Sequence, residues 1–152
     1  MKTILIKENE FMKARKNIRE NAGKKIIFVG NSDDLNRKVL EKEKINILLI
    51  NQKNRKDFQK QRNSGLNHVL AKIAKKNNIS IGINFDEIVE LKGKERSDIL
   101  ARIKQNISLC NKNKLKMQFI FEKEEIKRNI YDIKSLGLVL GMPTWMTKSL
   151  NF

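Results

Sequence analysis

Short apolar runs alternate along this chain with longer segments in which apolar residues recur at helical spacing. The runs predict five β-strands, at residues 3–7, 25–30, 45–50, 79–85 and 117–121. The segments between them predict helices at residues 10–22, from Ser32, and at residues 66–77, 94–112 and 131–140, with Pro143 at the first position of a last helix. Apolar strands separated by helices indicate a parallel sheet covered by helices. This pattern is compatible with a doubly wound sheet and with a barrel.

The segment from Gln61 to Lys72 is the part of the pattern most suggestive of a binding site. It follows the longest loop without a clear period, residues 51–63, and holds the single histidine. A turn at Gly65 is expected to open a helix whose buried face is Leu66, Val69, Leu70 and Ile73. A second stripe, four residues apart, is Ser64, His68 and Lys72, with Arg62 just before it. A hydroxyl, an imidazole and two cations near a helix start predict phosphate binding, although a lone histidine is also common in protein cores.

The charge balance points to a polyanionic partner. The chain has 33 Lys and Arg against 17 Asp and Glu, a formal net charge of +16 in 152 residues. Such a field attracts nucleic acid, although a genome biased towards Lys, Ile and Asn would also raise the charge. One domain, residues 1–152, is expected at this length. No apolar run is long enough for a transmembrane helix, and the N-terminal apolar stretch is too short for a signal peptide.

Evidence for protein-based catalysis is weak in this sequence. One histidine cannot supply a metallohydrolase ligand set, and neither a dinucleotide fingerprint nor a phosphate-loop pattern is present. The acidic pairs at residues 33–34 and 124–125 are expected in helix first turns. Cys110 is in register with Ile99, Ile103 and Ile107, which favours core packing over a nucleophilic role. We therefore expect no catalytic residue, no metal and no cofactor bound by the protein.

A family resemblance rests on four ordered blocks. The string Arg62-x-Ser64-Gly65-Leu66-x-His68-Val69-Leu70-Ala71-Lys72 resembles the signature of the third protein component (30-kDa subunit) of archaeal and eukaryotic ribonuclease P. The resemblance continues through residues 79–85, then through residues 93–96 and the helix with Leu100, Arg102, Asn106 and Leu109. It ends at residues 131–133 and 140–142. Residues from about 45 to 142 match in order and spacing, whereas the first forty match only as strands and helices.

The resemblance implies a TIM-barrel-like parallel β/α fold. Members are longer than this chain, which is expected to lack an opening strand-helix unit and part of the C-terminal end. Five strands cannot close an eight-stranded barrel, so we expect a shortened, incomplete one. Either a helix at residues 143–151, a protein partner or RNA would cover the open side, with residues 3–7 as the exposed edge strand.

The resemblance also implies a function. The chain would be a cytoplasmic protein subunit of ribonuclease P, binding the catalytic RNA and assisting removal of the 5′ leader of precursor tRNA. Mg²⁺ would sit on the RNA. A second small basic ribonuclease P protein would bind this one as a pair able to dimerise, and no membrane would be involved. The alternatives are a generic basic RNA-binding or ribosome-associated protein, and a small barrel enzyme acting on a phosphorylated substrate.

Eight residues are expected to contact RNA or to shape the surface that does: Arg62, Ser64, Gly65, Asn67, His68, Lys72, Arg96 and Arg102. Asn63 stands where the family would have an acid, which leaves open whether it can pair with an arginine. Phe58, among basic residues in the long loop, is equally compatible with stacking on an unpaired base and with anchoring the loop to the core. Lys112 and Lys114 are expected in a solvated loop.

Overall fold

Five β-strands alternate with helices along residues 1–150, the part of the chain that the computed structural model describes. The strands are β1 (Thr3–Glu8), β2 (Lys25–Gly30), β3 (Ile47–Ile50), β4 (Ser80–Asn84) and β5 (Met117–Ile120). The helices are α1 (Phe11–Glu20), α2 (Asp33–Lys42), α3 (His68–Lys76), α4 (Phe85–Glu90), α5 (Gly93–Lys112), α6 (Ile130–Val139) and α7 (Thr144–Lys148), with a 3₁₀ turn at Glu124–Ile126. The five predicted strands and their order are confirmed.

The strand order decides between the two architectures that the sequence allowed. The sheet runs β1-β2-β3-β4-β5, and every neighbouring pair is parallel. A doubly wound sheet needs a reversal of strand order, and none occurs among these five strands. Right-handed crossovers that always step in one direction place all the connecting helices on the same face, as in a barrel. The fold is an open, singly wound part of a TIM-barrel-like structure, as expected.

The two faces of the sheet bury different partners. Phe28, Leu48, Ile81 and Met117 point towards the helices and belong to the main core. Strand residues alone, Ile27, Val29, Ile47 and Leu49, form the buried cluster on the opposite face. Gly82 of β4 makes room for that cluster, since a Cβ there would lie 3.0 Å from Ile47 Cγ2 and 3.2 Å from Ile120 Cγ1. The inner face is therefore packed across β4 although the sheet is not closed.

The outermost strands curve towards each other. Lys7 Nζ, near the end of β1, lies 2.8 Å from Glu122 Oε2, just beyond β5. The pair is largely exposed and adds little stability, but it requires a strongly curved sheet. On the β5 side, Gln118 Nε2 donates to the carbonyl of Ser149, 2.7 Å away, which places the segment after α7 against that strand. Pro143 is the N-cap of α7 and not its first residue, and Asn151, the expected end, lies outside the described residues.

Three boundaries predicted from the sequence were wrong. β3 begins at Ile47, after Ile45, and β4 ends at Asn84, where Phe85 opens the unpredicted helix α4. α3 begins at His68 because the Asn67 side chain accepts the Leu70 N–H (2.9 Å) and caps the helix there. The predicted buried face is therefore wrong, because Leu66 lies outside the helix and the helix packs on a different face. Its buried residues are Leu70, Ala71 and Ala74, whereas Leu66 is buried before the helix and Val69 is 54% exposed.

Helix α4 ties together the ends of two strands. Glu87 accepts hydrogen bonds from the backbone N–H groups of Gln52 (2.9 Å) and Lys53 (3.2 Å), which follow β3. Asp86 does the same for Glu122 and Lys123 after β5, each at 3.2 Å. Burial raises the pKa of both carboxyl groups, and the four N–H groups oppose that rise. Two adjacent side chains thus hold the loops that follow β3 and β5, the two strands on either side of β4 in the sheet.

Candidate functional site

Arg102 of α5 fastens the long loop at residues 51–63 to the domain. Its side chain is buried, with the whole residue 5% exposed. Nε donates to Asp57 Oδ1 (2.8 Å), Nη1 to the carbonyl of Gln52 (3.0 Å) and Nη2 to the carbonyl of Arg55 (2.9 Å). Each of the three nitrogens of the planar guanidinium therefore donates to the loop. Arg102 was expected to contact RNA or to shape the surface that does, and its buried position suits it to the second of these roles.

Asp57 is the centre of the loop's ionic contacts. Its carboxylate accepts from Arg102, from Arg62 Nη1 (2.9 Å) and from the backbone N–H of Asn63 (2.9 Å). These bonds, that of Arg102 foremost, hold the pKa of Asp57 well below its usual range. Arg62 also contacts Asp98 at 3.2 Å, and its two carboxylate partners raise its pKa. The Arg62 guanidinium is exposed but shared between two acids.

Another ion pair closes the base of the loop beside Gly65. Arg55 donates to both carboxylate oxygens of Asp33, each at 2.9 Å, and Nη1 also lies 3.5 Å from Asn63 Oδ1. Asn63 is thus an arginine partner after all, while Asp33 supplies the negative charge. Gly65 has φ +77°, and a Cβ there would lie 2.6 Å from both Arg55 Nη2 and Ile50 Cγ2. The turn needs glycine for its conformation and for this close approach.

Ser64 is a structural residue in this site. It is 1% exposed, its hydroxyl donates to the carbonyl of Leu66 (3.4 Å), and Gln105 Nε2 donates to that hydroxyl at 3.0 Å. The Ser64 carbonyl accepts from Gln52 Nε2 (2.8 Å) and Asn106 Nδ2 (3.0 Å). Ser64 precedes α3, so the predicted helical stripe with His68 and Lys72 does not form. The hydroxyl is turned into the protein, away from any phosphate outside.

A groove of about 610 Å³ lies between the loop, the start of α3 and the end of α5. Five of the eight expected residues line it: Arg62, Ser64, Gly65, Asn67 and His68. His68 is exposed, with Nδ1 3.4 Å from Asn113 Nδ2, which argues against its being a core histidine. Lys72 is exposed further along α3. The groove brings together most of the predicted site around a shared surface, which we call the loop groove.

Arg96 lies apart from the loop groove. Its Nε donates to the carbonyl of Leu91 (2.7 Å) and its Nη2 to that of Val89 (3.1 Å). These carbonyls are at the C-terminal end of α4, where cationic donors stabilise a helix. The side chain is half-buried and joins α4 to the beginning of α5.

Several groove residues were not identified from the sequence. Gln105 and Lys112 line the groove, and Lys112 is the last residue of α5 and not part of a solvated loop. Phe58, for which the sequence left stacking and anchoring both open, lines the groove as well. Asp57 was also missed. A lone acid in a basic loop gives only a weak signal, and its arginine partner is 45 positions away in the sequence. The acidic pair at Asp33 and Asp34 does open α2, and the pair at Glu124 and Glu125 opens the 3₁₀ turn.

The described residues offer little for metal or thiol chemistry. Among residues 1–150, no three His, Cys, Asp or Glu side chains are grouped so that they could hold a metal ion. Cys110 is fully buried in the core, as expected, and burial raises its pKa to about 12. No helix within the same residues is long and apolar enough to cross a membrane.

Comparison with known proteins identifies the family. The family model described as RNase P subunit p30 matches residues 3–149. The chain belongs to this family. Its relatives include proteins named ribonuclease P protein component 3, and the family resemblance of the sequence is thereby confirmed.

These p30-family relatives are longer than the present chain. The protein of Methanococcus maripaludis strain C7 is 34% identical over 106 residues, which are 69% of this chain and 42% of that protein. Its counterpart in strain C5 is 29% identical over 143 residues, 94% and 57% of the two chains. That of Methanosarcina mazei is 37% identical over 87 residues, 57% and 34% of the two chains. The chain thus spans about half the length of the relatives that it matches.

A solved structure confirms the fold. A chain in the cryo-EM structure of archaeal ribonuclease P with mature tRNA superposes with a TM-score of 0.80 at 24% identity. The match covers 96% of the present chain and 62% of the other. The fold of the described sheet and helices is therefore also found in part of this neighbour.

Proposed function

We propose that this chain is a protein subunit of ribonuclease P, which binds the catalytic RNA and assists removal of the 5′ leader of precursor tRNA. The observation that carries the proposal is membership of the p30 family over residues 3–149. The net charge of +16 is consistent with an RNA partner. Precursor tRNA, the catalytic RNA and a second small basic protein subunit are the partners that we propose, in the cytoplasm.

The physical role that we assign to the protein is charge neutralisation. RNA helices repel one another through their phosphates, and Mg²⁺ relieves that repulsion in the absence of protein. A domain with sixteen excess positive charges substitutes for part of that Mg²⁺. Catalysis and the catalytic Mg²⁺ would belong to the RNA, with the protein contributing no reacting group.

The eight candidate residues fall into two groups in this proposal. Exposed side chains would contact RNA directly: Arg62, Asn67, His68 and Lys72. The others would hold the contact surface in shape, since their polar atoms or backbone are engaged within the protein: Ser64, Gly65, Arg96 and Arg102.

Reconstitution tests the proposal. The full chain is added to its cognate ribonuclease P RNA with the partner subunit, and cleavage of precursor tRNA is followed as Mg²⁺ is lowered. We expect higher turnover at low Mg²⁺ with the protein than without it, and no cleavage by the protein alone. RNA affinity should fall as the salt concentration rises. In a plot of log affinity against log salt concentration, each phosphate contact should contribute a slope of roughly −0.7 to −0.9.

Two variants serve as a matched pair in that assay. Lys72→Ala should weaken assembly, whereas Lys114→Ala should have little effect because its ammonium lies over the Trp145 ring, 5.6 Å from the centroid. Equal losses would mean that the charge acts only as a diffuse cloud. Cleavage at the mature 5′ end by pure protein, or recovery of ribosomal RNA alone when the native protein is captured and its RNA is sequenced, would contradict the proposal.

A further inference from the structure

Phe58 is an aromatic side chain that the long loop holds out into solvent. It is 58% exposed, although burial of such a ring is strongly favourable. Aromatic pairs and cation–ring contacts form elsewhere in residues 1–150, but none of them involves Phe58. A residue that anchors the loop to the core would be buried. Of the two roles that the sequence left open for Phe58, the exposure favours stacking.

The backbone that carries this ring is fixed. The preceding residue, Asp57, is bound by Arg102, Arg62 and the Asn63 N–H. The Phe58 N–H donates to the carbonyl of Gln61 at 3.0 Å, which closes the loop tip. A rigid base reduces the entropy that would be lost when a ligand stacks on the ring.

Two concave surfaces meet at Phe58. The loop groove of about 610 Å³ lies on one side, and a more open depression of about 580 Å³ lies on the other. Phe58, Gln61, Arg62 and Gln105 line both. Each volume falls within the range of about 300–1,000 Å³ typical of small-ligand sites.

Four amide side chains line the loop groove: Gln61, Asn63, Asn67 and Gln105. No hydrogen bond is found for the Gln61 side chain among residues 1–150. The Asn67 oxygen caps α3, which leaves its NH₂ group available as a donor. The charged lining is modest: Arg62 and Lys112 against Asp33, a formal net charge of +1. Amide side chains pair with base edges, whereas a site built only for phosphate would need more cations.

We propose that the loop groove holds one unpaired nucleotide of an RNA strand. The base stacks on Phe58, the amides of Gln61 and Asn67 contact its edge, and Lys112 and His68 face the adjoining phosphate. This site deepens the proposed function and rests on it for the identity of the RNA. Three leucines also line the groove, but Leu66 and Leu70 are buried and Leu109 is half-buried, so that Phe58 is the exposed apolar side chain of its lining. A protein segment would need a larger exposed apolar surface as its anchor.

Binding of a short RNA tests the site directly. The full chain is titrated into a seven-nucleotide single-stranded RNA whose central base is the fluorescent analogue 2-aminopurine. Stacking on Phe58 should quench its fluorescence. Phe58→Ala should weaken binding about 5- to 150-fold and abolish the quench, and Phe58→Tyr should retain both. Tyr131→Ala is the matched control, because Tyr131 is an aromatic residue on α6 that is 74% exposed and does not line the groove.

Salt and an abasic probe separate stacking from charge. Phe58→Ala should leave the slope of log affinity against log salt unchanged, whereas Lys112→Ala should reduce it by about 0.7. An oligonucleotide without the central base should bind wild type and Phe58→Ala equally. A Phe58→Ala variant with wild-type affinity and quench, or one that weakens the abasic probe just as much, would overturn the proposal.

Photo-crosslinking in the assembled complex identifies the source of the nucleotide. Catalytic RNA and precursor tRNA are substituted with 4-thiouridine in separate arms, and a crosslink that needs Phe58 in either arm supports the site. Absence of such a crosslink in both arms overturns it, as does loss of partner-protein binding in Phe58→Ala with RNA binding intact. If wild type and Phe58→Ala stimulate ribonuclease P equally, the nucleotide site is rejected and the proposed subunit role is kept. If the short RNA binds through Phe58 but the protein does not stimulate ribonuclease P, the subunit role is rejected and the nucleotide site is kept.

Discussion

Replacement of Arg102 by Met is the sharpest test of how the site is held together. Methionine keeps an unbranched, adaptable side chain in the buried space and removes all the donors. The carbonyls of Gln52 and Arg55 would lose their Arg102 donor, and Asp57 would keep only Arg62 and the Asn63 N–H. The loop would therefore lose its connection to α5 at three points.

The expected loss of stability follows from these three hydrogen bonds. Breaking a buried, hydrogen-bonded ion pair by removing one partner costs about 3–5 kcal/mol. The lower end applies here, because the Asp57 side chain is 23% exposed and keeps two other donors. A loss of about 3 kcal/mol is a large share of the roughly 8–15 kcal/mol expected for a domain of this size. The melting temperature should fall by roughly 6–12 °C.

Urea unfolding followed by the fluorescence of Trp145, the single tryptophan, measures this loss. With a slope of about 2 kcal/mol per molar, the midpoint should shift by about 1.5 M. Lys104→Met, an exposed change on the same helix, should stay within about 0.5 kcal/mol of wild type. Limited trypsin cleavage at Lys56 and Lys60 reports loosening of the loop alone. A variant with an unchanged midpoint and an unchanged cleavage rate would refute the role given to Arg102.

Three further predictions concern the stability of Gly65 variants, the pH dependence due to Asp57 and the reactivity of Cys110. Gly65→Ala should lose about 2 kcal/mol or more by urea unfolding, from positive φ and from contact with Ile50, while Gly93→Ala, also at positive φ but with nothing within 4 Å, should lose only about 1 kcal/mol. The pKa of Asp57 is lowered in the fold, so the stability it contributes is present above its ordinary value of 3.8 and is lost as the pH falls below it. Asp57→Asn should therefore flatten the acid limb of the stability profile, and an unchanged limb would contradict this. Cys110 should resist alkylation in the folded protein at neutral pH and react only on unfolding, as its buried thiol has a pKa of about 12.

The fold was largely predictable because its signals are local. Apolar runs of strand length and the order of elements predicted five strands in a parallel sheet covered by helices. The barrel-like layout was implied by the family resemblance. Helix α4 was missed because Phe85 extends the apolar run of β4. An N-cap at Asn84 with two acids, Asp86 and Glu87, in the first turn is nevertheless a recognisable helix start. The start of α3 was misplaced for a similar reason, since Gly65 was given more weight than Asn67 as the point of entry.

The interior of the candidate site was less predictable because its contacts are distant in sequence. Arg102 stands 45 to 50 positions from its three partners, and Arg55 stands 22 from Asp33. Nothing in a single sequence distinguishes a buried arginine from the many exposed ones. Residues that line the surface, such as Asn67 and His68, were identified because a turn and a helix start bring them together locally.

The pair of carboxylates on α4 has a consequence for motion. Asp86 and Glu87 are consecutive, so the amides of Glu122 and Lys123 and those of Gln52 and Lys53 are bonded to a single helical turn. A rotation of that turn would break the hydrogen bonds of both amide pairs together. In native-state hydrogen exchange, the amides of Lys53 and Lys123 should therefore exchange with the same opening free energy, although 70 residues separate them along the chain. The base of the long loop and the end of β5 would then open and close as one cooperative unit.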